Sequence, residues 1–326
     1  MLAGCSPAPD HGGTQGRPTQ PNATSPPATA SPQTGKTADT GETDGPADCG
    51  GPCRGRPRVV GSFGLRAAPE ASGLAAGPRN RGVLYVLDDG PGTTSLLAIG
   101  ARDGALRARL EIAGLQGVDT ESLASAPCGG NLTGHCLYIG DIGDNVAGRE
   151  SITITRVREP SLRAHRDRVV DAEQVVWRYP DGPHDAEALL AAQDGTLAVV
   201  TKNPGRRGRG AARLYIAASF ADTTLTRGSR VRLPPPSNPG ASIVLGNVVT
   251  GGDAAPGRVV LRTYDAIYEF TAPRTGAPVR NFATWPVTQV PSPAEPQGEA
   301  ISYGPDRCGL FTVSEGSGDV TSIPCR

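Results

Sequence analysis

Net charge is the first thing this 326-residue chain lacks: 32 basic side chains stand against 32 acidic ones. Such balance gives no footing for nucleic acid, or for an anionic membrane surface, as a partner. Aromatic residues are scarce at 4%. The dense basic stretch Gly205-Arg-Arg-Gly-Arg-Gly210 therefore has no aromatic interleaving and reads as a solvated hairpin end. No run of about 18 apolar residues occurs, so no segment reads as a membrane-spanning helix. Histidine is rare, with four in the chain. There is no Gly-x-Ser-x-Gly elbow, no Walker loop and no His-Glu-x-x-His, which removes the best-marked hydrolase and nucleotide-binding classes. Zinc spacing is also missing, because no Cys/His cluster has the separations that a zinc site needs.

What the chain has in quantity is turn residues, 44 Gly and 31 Pro. Between them lie short β-branched runs, and few stretches carry the 3.6-residue period of a helix. This pattern predicts an all-β fold. A unit recurs within it. Glu70-Ala-Ser-Gly-Leu returns as Asp119-Thr-Glu121-Ser-Leu, Asp185-Ala-Glu187-Ala-Leu, Thr250-Gly-Gly-Asp253-Ala and Gly298-Glu299-Ala-Ile-Ser. Each is followed by an apolar strand ending in a charge: Asp88, Asp141, Lys202, Arg262 and Glu315. The acidic markers are 51, 66, 66 and 46 residues apart, the scale of propeller blades with loop insertions.

Each unit reads as four antiparallel strands. In the first these are 71–75, 83–87, 95–99 and 106–112. The last unit has room for three, and its fourth is expected from Val59–Leu65, a closing strand borrowed from the other end of the domain. The expectation is one β-propeller of five blades. A sixth blade would need a degenerate unit within 203–250, and a two-sheet sandwich would leave the repeat unexplained.

Residues 1–57 differ in kind. Pro, Thr, Ala, Ser and Gly dominate from Ser6 onward, with too little apolar surface to offset the entropy of ordering, so a disordered tether is expected there. The propeller domain is expected to fill 58–326. Leu2-Ala3-Gly4-Cys5 resembles the lipobox of bacterial lipoproteins, which implies lipidation at Cys5. Only Met1 precedes it, so the basic and apolar regions of a signal peptide are expected upstream. The other six cysteines suit disulfides in an oxidising compartment: Cys128–Cys136 across a hairpin, Cys308–Cys325 across the last strands, and Cys49–Cys53 in the tether. The expected location is extracytoplasmic, either lipid-anchored to the outer face of the cytoplasmic membrane or secreted.

Glu70-Ala-Ser-Gly-Leu-Ala, Asp119-Thr-Glu-Ser-Leu-Ala and Tyr138-Ile-Gly-Asp-Ile-Gly-Asp-Asn145 are similar to segments of a family of exported bacterial β-propeller (lipo)proteins. The similarity runs on through Arg149, 152–160 and Tyr179-Pro-Asp-Gly. The resemblance implies the fold and export, and no particular activity. Two departures stand out: Asp88-Asp89 where that family tends to have Asn-Asp, and Asp253 in place of the repeated Glu.

In a propeller the innermost strand of each blade begins on the face where the second strand ends. The repeated acids (Glu70, Glu121, Glu187, Asp253, Glu299) and the strand-ending charges (Asp88, Asp141, Lys202, Arg262, Glu315) should therefore form two rings at one mouth of the central channel. Eight carboxylates against two bases give −6 there, a field that attracts cations. The candidate cofactor is Ca2+, held by carboxylates and carbonyls, with Asp141, Asp144 and Asn145 as the local ligand set. His184 is the histidine nearest the mouth, a candidate ligand or general base. The plainer reading is that the ring acids accept backbone N–H groups between blades while Lys202 and Arg262 neutralise them.

Three functions remain open. The leading one is a surface-tethered monomer binding a small-molecule or protein ligand at the acidic mouth through Ca2+. A metal-assisted phosphoesterase or lactonase would use the same carboxylates, and an interaction scaffold would use the outer loops.

Overall fold

A computed structural model describes residues 54–163, 167–202 and 211–325. Residues 1–53, with Cys5 and the expected Cys49–Cys53 pair, lie outside that range. Strand β1 (Arg58–Ser62) belongs by pairing to the last sheet. Blade 1 contains β2 (Ala71–Ala76), β3 (Val83–Asp88), β4 (Ser95–Gly100) and β5 (Leu106–Ile112). Blade 2 contains β6 (Thr120–Pro127), β7 (His135–Asp141), β8 (Ile152–Arg158) and β10 (Ala172–Trp177). Blade 3 is β11 (Ala186–Ala191), β12 (Leu197–Thr201), β13 (Ala212–Ala217) and β14 (Thr226–Val231). Blade 4 is β15 (Gly251–Ala255), β16 (Arg258–Arg262), β17 (Ile267–Thr271) and β18 (Val287–Val290). Blade 5 is β19 (Gln297–Tyr303), β20 (Leu310–Glu315), β21 (Asp319–Ile323) and the borrowed β1. The fold is a five-bladed β-propeller.

The inner strands follow one another around the axis, β2 beside β6, then β11, β15 and β19, with β19 packed back on β2. Their sequences are small-residue runs such as Ala-Ser-Gly-Leu-Ala-Ala and Ala-Glu-Ala-Leu-Leu-Ala, buried along almost their whole length. Five strands around one axis leave little room, and in places none for a Cβ. One built on Gly251 would stand 2.2 Å from the Glu299 carbonyl oxygen of the next blade. Side chains at Ser72 and Thr250 use the same closeness, donating to the carbonyls of Thr120 (2.7 Å) and Gly298 (2.7 Å) on neighbouring inner strands.

Five apolar clusters separate the five sheets, each shared by two adjacent blades. Within β3, Leu84 and Val86 face blade 5 whereas Tyr85 and Leu87 face blade 2. Both faces of a blade are dry, which is why the second strands read as unbroken apolar runs instead of alternating ones. Trp177, Tyr85, Tyr215 and Phe270 are among the fully buried side chains, and burial of each such ring stabilises by about 2–3 kcal/mol.

Strand β1 pairs antiparallel with β21, with Val59 opposite Thr321 and Ser62 opposite Asp319. The expected borrowed strand thus exists but stops at Ser62; Leu65–Ala67 is a 3-10 turn. Strand β9 (Asp167–Val170), from the blade 2 chain, adds in parallel to the edge of β5 and straps blade 2 to blade 1. After β14 the described chain makes an irregular excursion with one helical turn, Ser242–Leu245, before β15 begins. No sixth blade forms there among the described residues. Disulfides join Cys128 to Cys136 across the β6–β7 hairpin, and Cys308 to Cys325 across β19–β20 and β21. They suit an extracytoplasmic protein. No helix among the described residues is long and apolar enough to cross a membrane.

Candidate functional site

The register of the inner hairpins decides which acids meet. In blades 1, 2, 3 and 5 the inner strand carries a β-bulge near its start. The residue left out of the ladder is Ser72, Glu121, Glu187 or Glu299. A bulge re-aims one side chain without breaking the sheet, and here it turns three glutamates to the axis. Two positions earlier stand Glu70, Asp119, Asp185 and Gln297. Blade 4 has a regular ladder, with Gly251 opposite Arg262 and Asp253 opposite Val260.

The same register splits the strand-ending charges into two sets. Asp88, Asp141 and Arg262 are the last ladder residues of their strands, opposite Ala71, Thr120 and Gly251. One residue beyond the equivalent position in blades 1, 3 and 5 come Asp89, Lys202 and Glu315, the last still paired with Gln297. A shift of one reverses the side a residue faces, so the second set reaches the axis.

Around the mouth, Lys202 donates to Glu187 Oε1 in an ion pair with both partners largely buried. Gln297 Nε2 donates to Glu299 Oε1 at 2.7 Å and also to Glu315. On the other side, one carboxylate oxygen each of Asp89, Asp119 and Glu121 lie within 4.8 Å of one another. Asp89 Oδ1 is buried with no hydrogen-bond donor. Two oxygens bound at roughly 2.4 Å to one ion lie at most about 4.8 Å apart, so the trio fits a hard, oxygen-ligated cation.

Electrostatics point the same way. Burial first, then Asp119 and Glu299, pushes Asp89 up to about 7. Burial, then Glu187 and Asp89, pushes Glu121 far above the carboxylate range. Glu187 is raised by burial to about 8 despite the opposing pull of Lys202. Glu299 is raised to about 7, again chiefly by burial. Asp119 is raised by burial as well, with Asp185 adding to it and the hydrogen bond to Glu121 opposing it. Carboxylates packed so closely resist ionising together, and a bound dication is the ordinary relief.

Several expected residues have other employment. Glu70 is exposed at the mouth, and its N–H donates to Asp88 Oδ1 at 2.9 Å. Asp88 thereby locks a turn. Asp141 takes the same part in blade 2, accepting from Val118 N and Asp119 N at 3.1 Å and pairing with Arg149 at 2.8 Å. Asp144 accepts from Gly148 N at 2.9 Å and Arg149 N at 2.8 Å, and Asn145 is exposed. Backbone N–H groups and Arg149 thus engage Asp141 and Asp144 of the expected ligand set, while the carboxylates close enough to share one ion are Asp89, Asp119 and Glu121.

Arg262 is fully buried between blades 4 and 5, paired with Glu295 and donating to the Ala300 carbonyl at 3.1 Å. Asp253, without a bulge to turn it, accepts from Tyr303 N at 2.9 Å and Ser302 Oγ at 3.0 Å on blade 5. These two follow the plainer reading, fastening blade to blade. His184 lies apart from the carboxylates, with Nε2 at 3.0 Å from Asp181 and 2.6 Å from the Tyr215 hydroxyl, its ring packed edge-on against Tyr179. Asp89, Asp119, Asp185 and Gln297 escaped the sequence reading; the signal available was their constant one- or two-residue offset from the chosen markers.

No protein-family model matches the chain, and no curated protein sequence matches it. Among solved structures, a gluconolactonase from Xanthomonas campestris superposes with TM-score 0.46 at 12% identity, covering 86% of this chain and 97% of its own. A likeness at that distance carries no argument about activity.

Proposed function

We propose that this protein is an exported, surface-tethered propeller of the exported bacterial type its motifs resemble, binding a divalent cation and through it a ligand at the acidic channel mouth. The supporting observation is the Asp89–Asp119–Glu121 trio, with its orphaned Asp89 Oδ1 and mutually destabilised carboxylates. Ca2+ is the candidate, since a rim of carboxylates and loop carbonyls supplies the six to eight oxygens that it takes. An exposed ion would leave positions open for oxygens of a small molecule or a partner protein. Cys5 as lipid attachment, the 1–57 tether, a monomeric state and absence of nucleic-acid binding complete the reading.

One observation favours metal-assisted hydrolysis of a phosphoester or lactone as a second reading. Lys202, beside Glu187, offers a positive charge to an oxyanion forming over the carboxylates.

Melting the chelator-stripped protein with and without Ca2+ tests the first reading. At a hundredfold excess over Kd the native state gains about 2.7 kcal/mol, worth roughly 5–10 °C in Tm. An unchanged Tm returns the mouth to a structural role and favours the scaffold. Turnover of phosphate esters or lactones that disappears in Glu121→Gln with folding intact would favour the hydrolase.

A further inference from the structure

The face opposite the channel mouth holds a cleft of about 520 Å3 that the site above does not use. Its walls are Arg79, Asn80 and Arg81 of the β2–β3 turn, Arg107 of β5, and Leu162 and Arg163 from the chain leaving β8. The backbone under it is fixed by one buried acid. Glu159 accepts from Arg79 N at 2.9 Å, from Asn80 N at 3.0 Å and from the Tyr85 hydroxyl at 3.1 Å. Asn80 Oδ1 in turn accepts from Leu162 N at 3.0 Å, so the walls from blades 1 and 2 are joined.

That arrangement spends the nearby carboxylate on backbone and hydroxyl donors and leaves the guanidinium groups outside. Arg107 pairs with Asp103 at 2.6 Å, both about half exposed. Such a pair is worth little. Arg79, Arg81 and Arg163 are exposed and form no ion pair among the described residues. Four guanidiniums around one cleft present planar forks that match phosphate oxygens better than a lone carboxylate.

Where the chain enters says which phosphate. Arg54 bridges Cys325, Gly55 N donates to the Pro324 carbonyl at 2.8 Å, and Arg54 reaches the Cys308 carbonyl, all at the end of blade 5 away from the mouth. Exposed Arg56 and Arg58 follow on that side. The residues before Arg54 therefore join the domain on this side, and an anchor at Cys5 would hold this face toward its membrane. The neutral total charge conceals this division, acids at one mouth and arginines at the back.

We propose that the Arg79–Arg81–Arg107–Arg163 cleft binds the phosphate of an anionic phospholipid headgroup and seats the propeller on its membrane with the acidic mouth outward. The choice of a lipid phosphate rests on the proposed anchor at Cys5, and nothing in it depends on the cation or its ligand.

The test uses the full chain with Cys5→Ser, so that no lipid anchor contributes, sedimented with vesicles at low salt. It should bind phosphatidylcholine vesicles containing phosphatidylglycerol and not pure phosphatidylcholine. Each arginine near an anionic surface is worth on the order of five-fold, so Arg79→Ala/Arg81→Ala should lower vesicle affinity roughly thirty-fold with Tm unchanged. Arg163→Glu should do the same from the other wall, and inorganic phosphate should compete. Equal binding by wild type and both variants overturns the proposal. So does arginine-dependent binding of inorganic phosphate without vesicle binding, which would make the ligand a soluble phosphate.

Discussion

Asp88 and Asp89 are adjacent in the chain and serve opposite ends. Asp88 accepts the Glu70 N–H and holds a turn, while Asp89, whose buried Oδ1 has no donor, brings a carboxylate oxygen within 4.8 Å of Asp119 and Glu121. Exchanging one for the other should therefore have separable effects. Asp89→Asn should abolish the Ca2+-induced rise in Tm and make the cation-free protein more stable, because it removes a like charge from the cluster. Asp88→Ala should keep the Ca2+ response and lose about 1 kcal/mol through the unmet Glu70 N–H. Paired melts with cation and with chelator read both.

Lys202 and Glu187 form the ion pair at the mouth, with Glu187 side-chain exposure at 2% and Lys202 at 17%. Lys202→Met strands a buried carboxylate and should cost about 3 kcal/mol, the low end for such pairs because the lysine keeps some solvent. Adding Glu187→Gln should recover much of that loss, and a double-mutant cycle in urea measures the coupling.

Acidity should stabilise the cation-free protein. Asp89 and Glu299 are raised to about 7, and Glu187 to about 8, from ordinary values of 3.8 and 4.5. Asp253, away from the cluster, is raised by burial to about 6. A carboxyl with a raised native value binds its proton more tightly folded than unfolded. Its contribution is fully present below the unfolded value and disappears as pH rises through the native one. In chelator, Tm should climb as pH falls from about 8 to about 5; with Ca2+ present the loss at high pH should shrink. A cation-free Tm that rises with pH over this window would contradict the assignment.

Ring closure rests on β1 and the Cys308–Cys325 link, which spans 17 residues. Losing this disulfide should cost about 3 kcal/mol. The Cys308→Ser/Cys325→Ser variant should therefore melt several degrees lower. Removing residues 1–62 uncovers the β21 edge, and aggregation in size-exclusion chromatography should follow.

The architecture was largely legible because it is written in repetition. Recurring small-residue starts followed by apolar runs set five blades, and the 28 residues from Glu299 onward have room for three strands, which pointed to a borrowed fourth. The hairpin setting of Cys128–Cys136 was equally visible. The site was less so, for a reason of geometry. Side chains alternate along a strand, so choosing Asp88 over Asp89 exchanged an axial ligand for a turn-locking acceptor. The bulges that present Glu121, Glu187 and Glu299 leave no mark in composition, and the absence of one in blade 4 sent Asp253 between blades. Arg262 ends its strand as Lys202 nearly does, yet its position faces Glu295 and not the axis.

The central claim is that Asp89, Asp119 and Glu121 hold one divalent cation. Calorimetric titration of Ca2+ into the chelator-stripped full chain tests it most directly, run beside Asp89→Asn and Glu121→Gln. One ion per chain in the parent, lost in both variants while their folds persist, is the result expected. Absence of binding in the parent, or equal binding in all three, would contradict it.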